Sequence, residues 1–176
     1  MLRHVSALLL ALALVSCDKG EDSVATLKKD PHPGLVEGAP TENYLLAIQA
    51  EWWQRNYLAD HEAILGSDPE LFRQFVKKGV TLEEFSEETE KARQDLRDAE
   101  KATAKAREAF EKSNPPPSMP GRIAKYTADL AQAFDSFQSL KRELLKDHAA
   151  YYERYDELKR REERWGKLSW LKVDSI

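Results

Sequence analysis

An unbroken alternation of three- and four-residue steps puts Leu82, Phe85, Thr89, Ala92, Leu96, Ala99, Thr103, Ala106 and Phe110 on one line. A repeat this regular constrains the chain to a helix with one narrow apolar seam, and a strict seven-residue period favours left-handed supercoiling against a partner. The small residues in the seam allow that partner to approach closely. Thr81-Leu82-Glu83-Glu84 has the form of a capping box, in which the Thr81 hydroxyl and the Glu84 carboxylate satisfy free amides reciprocally. Asn114-Pro115-Pro116-Pro117 ends the helix, because proline lacks the amide and restricts the residue before it.

A second repeat follows Pro120-Gly121. It runs through Ile123, Thr127, Leu130, Phe134, Phe137, Lys141, Leu144, His148, Tyr151, Tyr155, Leu158, Glu162, Trp165 and Ser169. Tyr126, Leu140, Leu145, Tyr152 and Leu168 widen its apolar face. With no glycine or proline between Ile123 and Trp165, the pattern predicts one helix over 121–171. Upstream, Leu45, Ile48, Trp52, Ala59 and Ala63 predict a helix over 42–65, ending near Gly66. Ser67-Asp68-Pro69-Glu70 then supplies a cap, a first-turn proline and an acid for a short helix over 69–78 before Gly79.

The expected fold class is therefore all-α, an antiparallel coiled-coil helical hairpin with a small helical-bundle base formed by residues 41–176. Folding about Pro116 sets Phe110 near Ile123, Leu96 near Phe137 and Leu82 near Tyr151. It also sets Glu83, Glu84, Glu87, Glu88 and Glu90 near the level of Arg154, Lys159, Arg160, Arg161 and Arg164. The last helix outruns its partner, and the first helix is expected to cover the overhang, leaving an arm roughly 45 Å long tipped by the proline turn.

The N-terminus carries a different kind of information. Arg3 and His4 precede an apolar run from Val5 to Val15, broken only by Ser6, and Leu14-Val15-Ser16 leads into Cys17, the one cysteine of the chain. A charged start, a short apolar core and small residues at the cut describe a secretory signal peptide over 1–16. The run is about half the roughly 20 residues a membrane span needs. With cysteine just after the cut, the segment resembles the lipobox of bacterial lipoproteins. That resemblance implies a diacylglyceryl group on the Cys17 thiol, a lipid-anchored periplasm-facing location, and a membrane as partner. Asp18 is similar to the signal that retains lipoproteins in the inner membrane of some Gram-negative bacteria. Residues 17–40, punctuated by Gly20, Pro31, Pro33, Gly34, Gly38 and Pro40, read as a tether holding the hairpin tip away from the bilayer.

The formal net charge of −4 speaks against a polycationic nucleic-acid binder. With Cys17 spent on lipid there is no thiol for a disulfide, and stability rests on packing. The histidines His4, His32, His61 and His148 lack metal-ligand spacing, and no Glu-x-x-His repeat occurs, so no metal or cofactor is expected. His148, in the seam near Phe85, and His61 read as core histidines. Glu83-Glu84 and Glu87-Glu88 read as complements to the helix dipole. No phosphate-binding glycine loop, nucleophile elbow or cysteine–histidine pair is present. A non-enzymatic role follows: an interaction module or scaffold contacting an envelope protein or itself. The alternatives are a lipid- or small-hydrophobic-ligand-binding bundle and a periplasmic holdase-like chaperone. Trp52 and Trp53 point about 100° apart on one helix. Together with Trp165 and Trp170 they are the candidate interaction surface, since tryptophan favours partner contacts and the bilayer interface.

Overall fold

The computed structural model describes residues 39–176, all of whose regular structure is helical. The signal segment, Cys17, Asp18, His32 and the tether up to residue 38 lie outside the described residues. Helix α1 spans Pro40–Leu65, α2 Pro69–Phe75, α3 Leu82–Lys112, α4 Met119–Leu144, α5 His148–Glu153 and α6 Tyr155–Leu168, followed by a 3-10 turn at Val173–Ser175. No helix among these residues is long and apolar enough to cross a membrane.

Local chemistry sets most boundaries. Pro40 supplies the preset φ of a first helical turn. Asp68 caps α2 by accepting from the Glu70 amide at 2.8 Å. Thr81 and Glu84 complete the capping box of α3, with Thr81 N donating to Glu84 Oε2 at 2.7 Å and Glu84 N donating to Thr81 Oγ1 at 3.2 Å. Gly79 takes a φ of +98°, a conformation that strains any residue with a Cβ.

The expected helix over 121–171 is three helices. After Leu144 the chain turns, and Asp147 accepts from the amides of Ala149 and Ala150 at 2.9 and 3.1 Å, starting α5 as a fresh helix. A short polar side chain that competes for backbone amides breaks a helix without glycine or proline. Tertiary contacts hold the break in place: Leu145 is fully buried, and its carbonyl accepts from Asp68 N at 2.8 Å. A second interruption at Arg154 separates α5 from α6, which returns along α4. The short helix over 69–78 likewise ends earlier, at Phe75.

Packing also differs from a projecting hairpin. The turn at Pro115–Pro117 is present, but the most extensive helix pairing is between α1 and α3. They run antiparallel, with Tyr44 against Phe110 (5.3 Å between ring centroids), Arg55 bonded to Glu100 at 2.6 Å and Arg93 to Glu62 at 2.9 Å. Thr89, Ala92 and Ala99 are buried in this pair. The small-residue seam thus admits α1, where the heptads alone point to the following helix. On its other side α1 runs parallel to α4, with Trp52 on Phe134 and Asp60 on Lys141. Helix α6 packs antiparallel on α4. The extensive contacts therefore run α3–α1, α1–α4, α4–α6. Leu82 is 60% exposed, and Tyr151 packs on Phe75 instead. Because Tyr44 meets Phe110, the start of α1 lies beside the proline turn, not at the opposite end.

Two apolar clusters fill the bundle. One, at the α2–α5 end, includes Leu71, Phe85, Leu140, Leu144, Leu145 and Tyr151; the other, toward the proline turn, includes Leu45, Phe110, Ile123, Leu130 and Trp165. Each fully buried leucine of this kind contributes roughly 1.5–3 kcal/mol relative to exposure.

Candidate functional site

Trp53, Trp165 and Trp170 meet in one cluster, while Trp52 packs elsewhere. Trp53 lies between Trp165 and Trp170, at centroid distances of 4.9 and 5.4 Å. Trp52 turns to the edge of Phe134 at 5.2 Å, with the Arg55 guanidinium 5.5 Å from its ring. The 100° divergence of the two neighbours is accommodated because α4 and α6 cover different sides of α1, and both indoles are half-buried. Trp165 is 3% exposed, so its placement on an interaction surface is corrected: it is a core residue. Trp170 keeps 44% of its surface in solvent.

The segment after α6 closes over this cluster. Gln49, fully buried, donates through Nε2 to the Leu171 carbonyl at 2.7 Å, and Tyr126 donates to the Leu168 carbonyl at 2.9 Å. Arg122 Nε reaches the Ile176 carbonyl at 2.7 Å. Burial pushes the Tyr126 phenol up to about 12, so it stays a donor. Gln49 Oε1 and the indole nitrogens of Trp53 and Trp165 are buried without a hydrogen-bond partner.

A polar cluster, not foreseen as a site, joins α1 to α4. Lys141 Nζ lies 2.7 Å from Asp60 Oδ1, and Gln138 Nε2 donates to Asn56 Oδ1 at 2.7 Å and to Asp60 Oδ1 at 2.8 Å. Gln138 and Lys141 are both buried. From α6, Glu162 faces the same charges. Its carboxyl is raised above the ordinary range mainly by burial, against the opposing pull of Lys141. The signal for this cluster was present: Lys141 and Glu162 occupy seam positions of the second repeat, where a charge implies a buried partner.

The histidines divide. His61 is a core residue as expected, 6% exposed and stacked on Phe85 at 4.8 Å, its Nδ1 3.0 Å from the Tyr57 carbonyl. Burial lowers its pKa, outweighing that hydrogen bond and the nearby Asp60 and Glu88 carboxylates. His148 is not in the seam with Phe85. It opens α5, half-exposed, with Nε2 3.4 Å from Gln74 Nε2 and 4.0 Å from Glu70. The break at Asp147 moved it there.

On the exterior, an open depression of about 460 Å3 is lined by Gly79, Val80, Glu84, Glu87, Glu88 and Lys91. Glu84 is held below the usual carboxylate range by its hydrogen bonds to Thr81, which is the capping role read for it. Among the described residues, no group of three or more His, Cys, Asp or Glu side chains could hold a metal ion. The chain matches no protein-family model, no curated protein and no solved structure.

Proposed function

We propose that this chain is a non-catalytic, lipid-anchored module of the bacterial cell envelope that works by contact with a protein partner or with itself. The observation that carries the anchor is the run Leu14-Val15-Ser16-Cys17 behind a short apolar stretch. Two acyl chains on Cys17 hold a protein stably on a bilayer, where one holds it only marginally. The contact role is supported by how the helical bundle spends its residues. Aromatic side chains interlock inside, the polar groups of α1 and α4 bond to each other, and ionic side chains cover the exposed faces. The antiparallel α1–α3 pair serves as the coiled-coil scaffold of the module. On this reading the tether joins at the proline-turn end, and the α2–α5 end faces away from the bilayer.

The test has two arms. Labelled palmitate should enter the wild-type chain in cells, and Cys17→Ser should lose the label and move from the membrane to the soluble fraction. Covalent crosslinking in intact cells should trap the chain in a discrete adduct. Unlabelled wild type, or an adduct-free monomer, removes the corresponding half of the reading.

A second reading, a small amphiphile-binding bundle, is favoured by one observation: Gln49 Oε1, Trp53 Nε1 and Trp165 Nε1 are unpartnered beneath the C-terminal segment. Titration with lysophosphatidylcholine below its micelle concentration should then shift the tryptophan emission. An unchanged spectrum excludes it.

A further inference from the structure

The expected pairing of the acidic start of α3 with the cations around α6 is not made. Among the described residues, Arg154 pairs with Glu143 and Glu157, and Arg161 pairs with Glu157. Arg160, Arg164, Lys167 and Lys172 are exposed and make no ion pair among the described residues. The first three follow i, i+4, i+7 spacing, which sets them on one stripe of the helix. Trp170 comes next along the chain, 44% exposed, with part of its indole against Trp53. Three carboxylates share this stretch: Glu162, which faces Lys141, and the exposed Glu163 and Asp174. In a chain of net charge −4, residues 160–176 are therefore locally basic.

Contacts with α4 fix where this stretch lies. Arg161 donates to the Ser136 carbonyl at 2.9 Å, Tyr126 to the Leu168 carbonyl at 2.9 Å, and Arg122 to the Ile176 carbonyl at 2.7 Å. The stretch thus descends along α4 to the proline-turn end, where α1 also begins. The chain from Cys17 reaches the bundle at that same end. At no more than about 3.5 Å per residue, residues 18–39 keep the bundle within reach of a bilayer holding Cys17. The opposite end has the other sign: from Lys77 to Lys91, five glutamates stand against three lysines, all exposed.

We propose that Arg160, Arg164, Lys167, Trp170 and Lys172 form a docking face for the surface of a bilayer that carries anionic headgroups. The proposal rests on the Cys17 anchor and adds which face the bundle turns to the membrane. Lysines and arginines are drawn to an anionic surface within a screening length, and a tryptophan between apolar core and water suits the headgroup level. A flat stripe of this kind needs no shaped partner, and the anchor already brings a bilayer to this end. The acidic end is repelled by the same surface, so the charges also orient the bundle. The contact weakens as salt shortens the screening length from about 10 Å at 0.1 M to about 3 Å at 1 M.

The test uses the full chain, expressed with its own N-terminal segment, purified in mild detergent and reconstituted into vesicles. One set is phosphatidylcholine alone; the other replaces roughly a third of it with phosphatidylglycerol. In both, part of the phosphatidylcholine is brominated near the headgroup end of its acyl chains to quench tryptophan emission on contact. Quenching should appear with phosphatidylglycerol at low salt and fall away at high salt and on phosphatidylcholine alone. It should be lost in Trp170→Phe and in Arg160→Glu/Arg164→Glu/Lys167→Glu, with wild-type helix content by circular dichroism. Quenching that ignores the anionic lipid or salt, or that persists in either variant, overturns the proposal. Flotation of the chain with the vesicles separates this result from the anchor. A chain that floats with both vesicle types but never responds to phosphatidylglycerol keeps its anchor and has no docking face. A chain that floats only with anionic vesicles at low salt, and is quenched there, has the docking face and no anchor. Crosslinking of an envelope protein to α6 in cells, with no response to anionic lipid, gives the face to that protein and overturns the bilayer as its occupant.

Discussion

The Thr103 hydroxyl lies 3.0 Å from the Ala47 carbonyl on α1 and equally 3.0 Å from the Ala99 carbonyl on its own helix. A side chain this short reaches a neighbouring main chain only where two helices are in close approach. Small residues at Thr89, Ala92 and Ala99, all buried, make that approach possible.

Enlarging this seam should therefore be costly. Ala99, 4% exposed, has no room for added methylenes, so Ala99→Leu should destabilise by about 1–3 kcal/mol. Urea denaturation followed by circular dichroism measures it. An unchanged midpoint would mean that α1 is not held against α3 at this level.

Removing Lys141 should leave Asp60 and Glu162 facing each other across α1 and α6 without their shared cation. Lys141→Met is expected to cost about 3 kcal/mol, the lower end of the range for a broken buried pair, because Asp60 remains partly exposed. Adding Asp60→Asn should recover part of the loss, and a double variant less stable than the single one contradicts the pairing.

Acid should act on His61 in a defined direction. Its folded pKa is lowered by burial, so the unfolded chain takes up a proton more readily as pH falls through about 6.5. The folded state then loses stability relative to higher pH until its own, lower pKa is passed. Glu162 has the opposite sign: its raised folded pKa makes protonation favour the fold as pH falls toward the unfolded value. In His61→Phe the first effect is gone. Its urea midpoint should fall less than that of wild type between about pH 6.5 and pH 5, or rise. Parallel curves for the two proteins refute the assignment.

The two C-terminal tryptophans should separate in mutagenesis. Trp165, 3% exposed and in contact with Trp53, Phe134 and Phe137, should cost about 3–5 kcal/mol as Trp165→Ala. Trp170→Ala, at 44% exposure, should cost clearly less. Thermal melts of the two variants decide it, and equal losses would show that Trp170 is as firmly built in as Trp165.

Local rules carried much of the fold. The caps at Asp68 and Thr81 and the stop before Pro115 follow from hydrogen bonding within a few residues, and each is legible without knowing what packs where. The small-residue seam of α3 was legible as a place for close approach. Its partner was not, because a heptad specifies the shape of a contact and not which helix meets it. The candidate surface fared less well: Trp165 carries the same side chain as Trp170, and only burial distinguishes them. Asp147 shows the limit for helix continuity. Its side chain can sit on a helix surface or cap a new helix, and the choice was made by Leu145, buried and bonded to Asp68 across the bundle.

By itself, then, the order of residues determined that this chain is helical, where most helices begin, and that Cys17 follows a lipobox-like segment. Those properties depend on neighbours one to seven positions away. The tertiary structure alone decided that α1 fills the seam of α3 and that α6 folds back on α4. Such choices compare whole-face burial among competing partners, a quantity no local window contains.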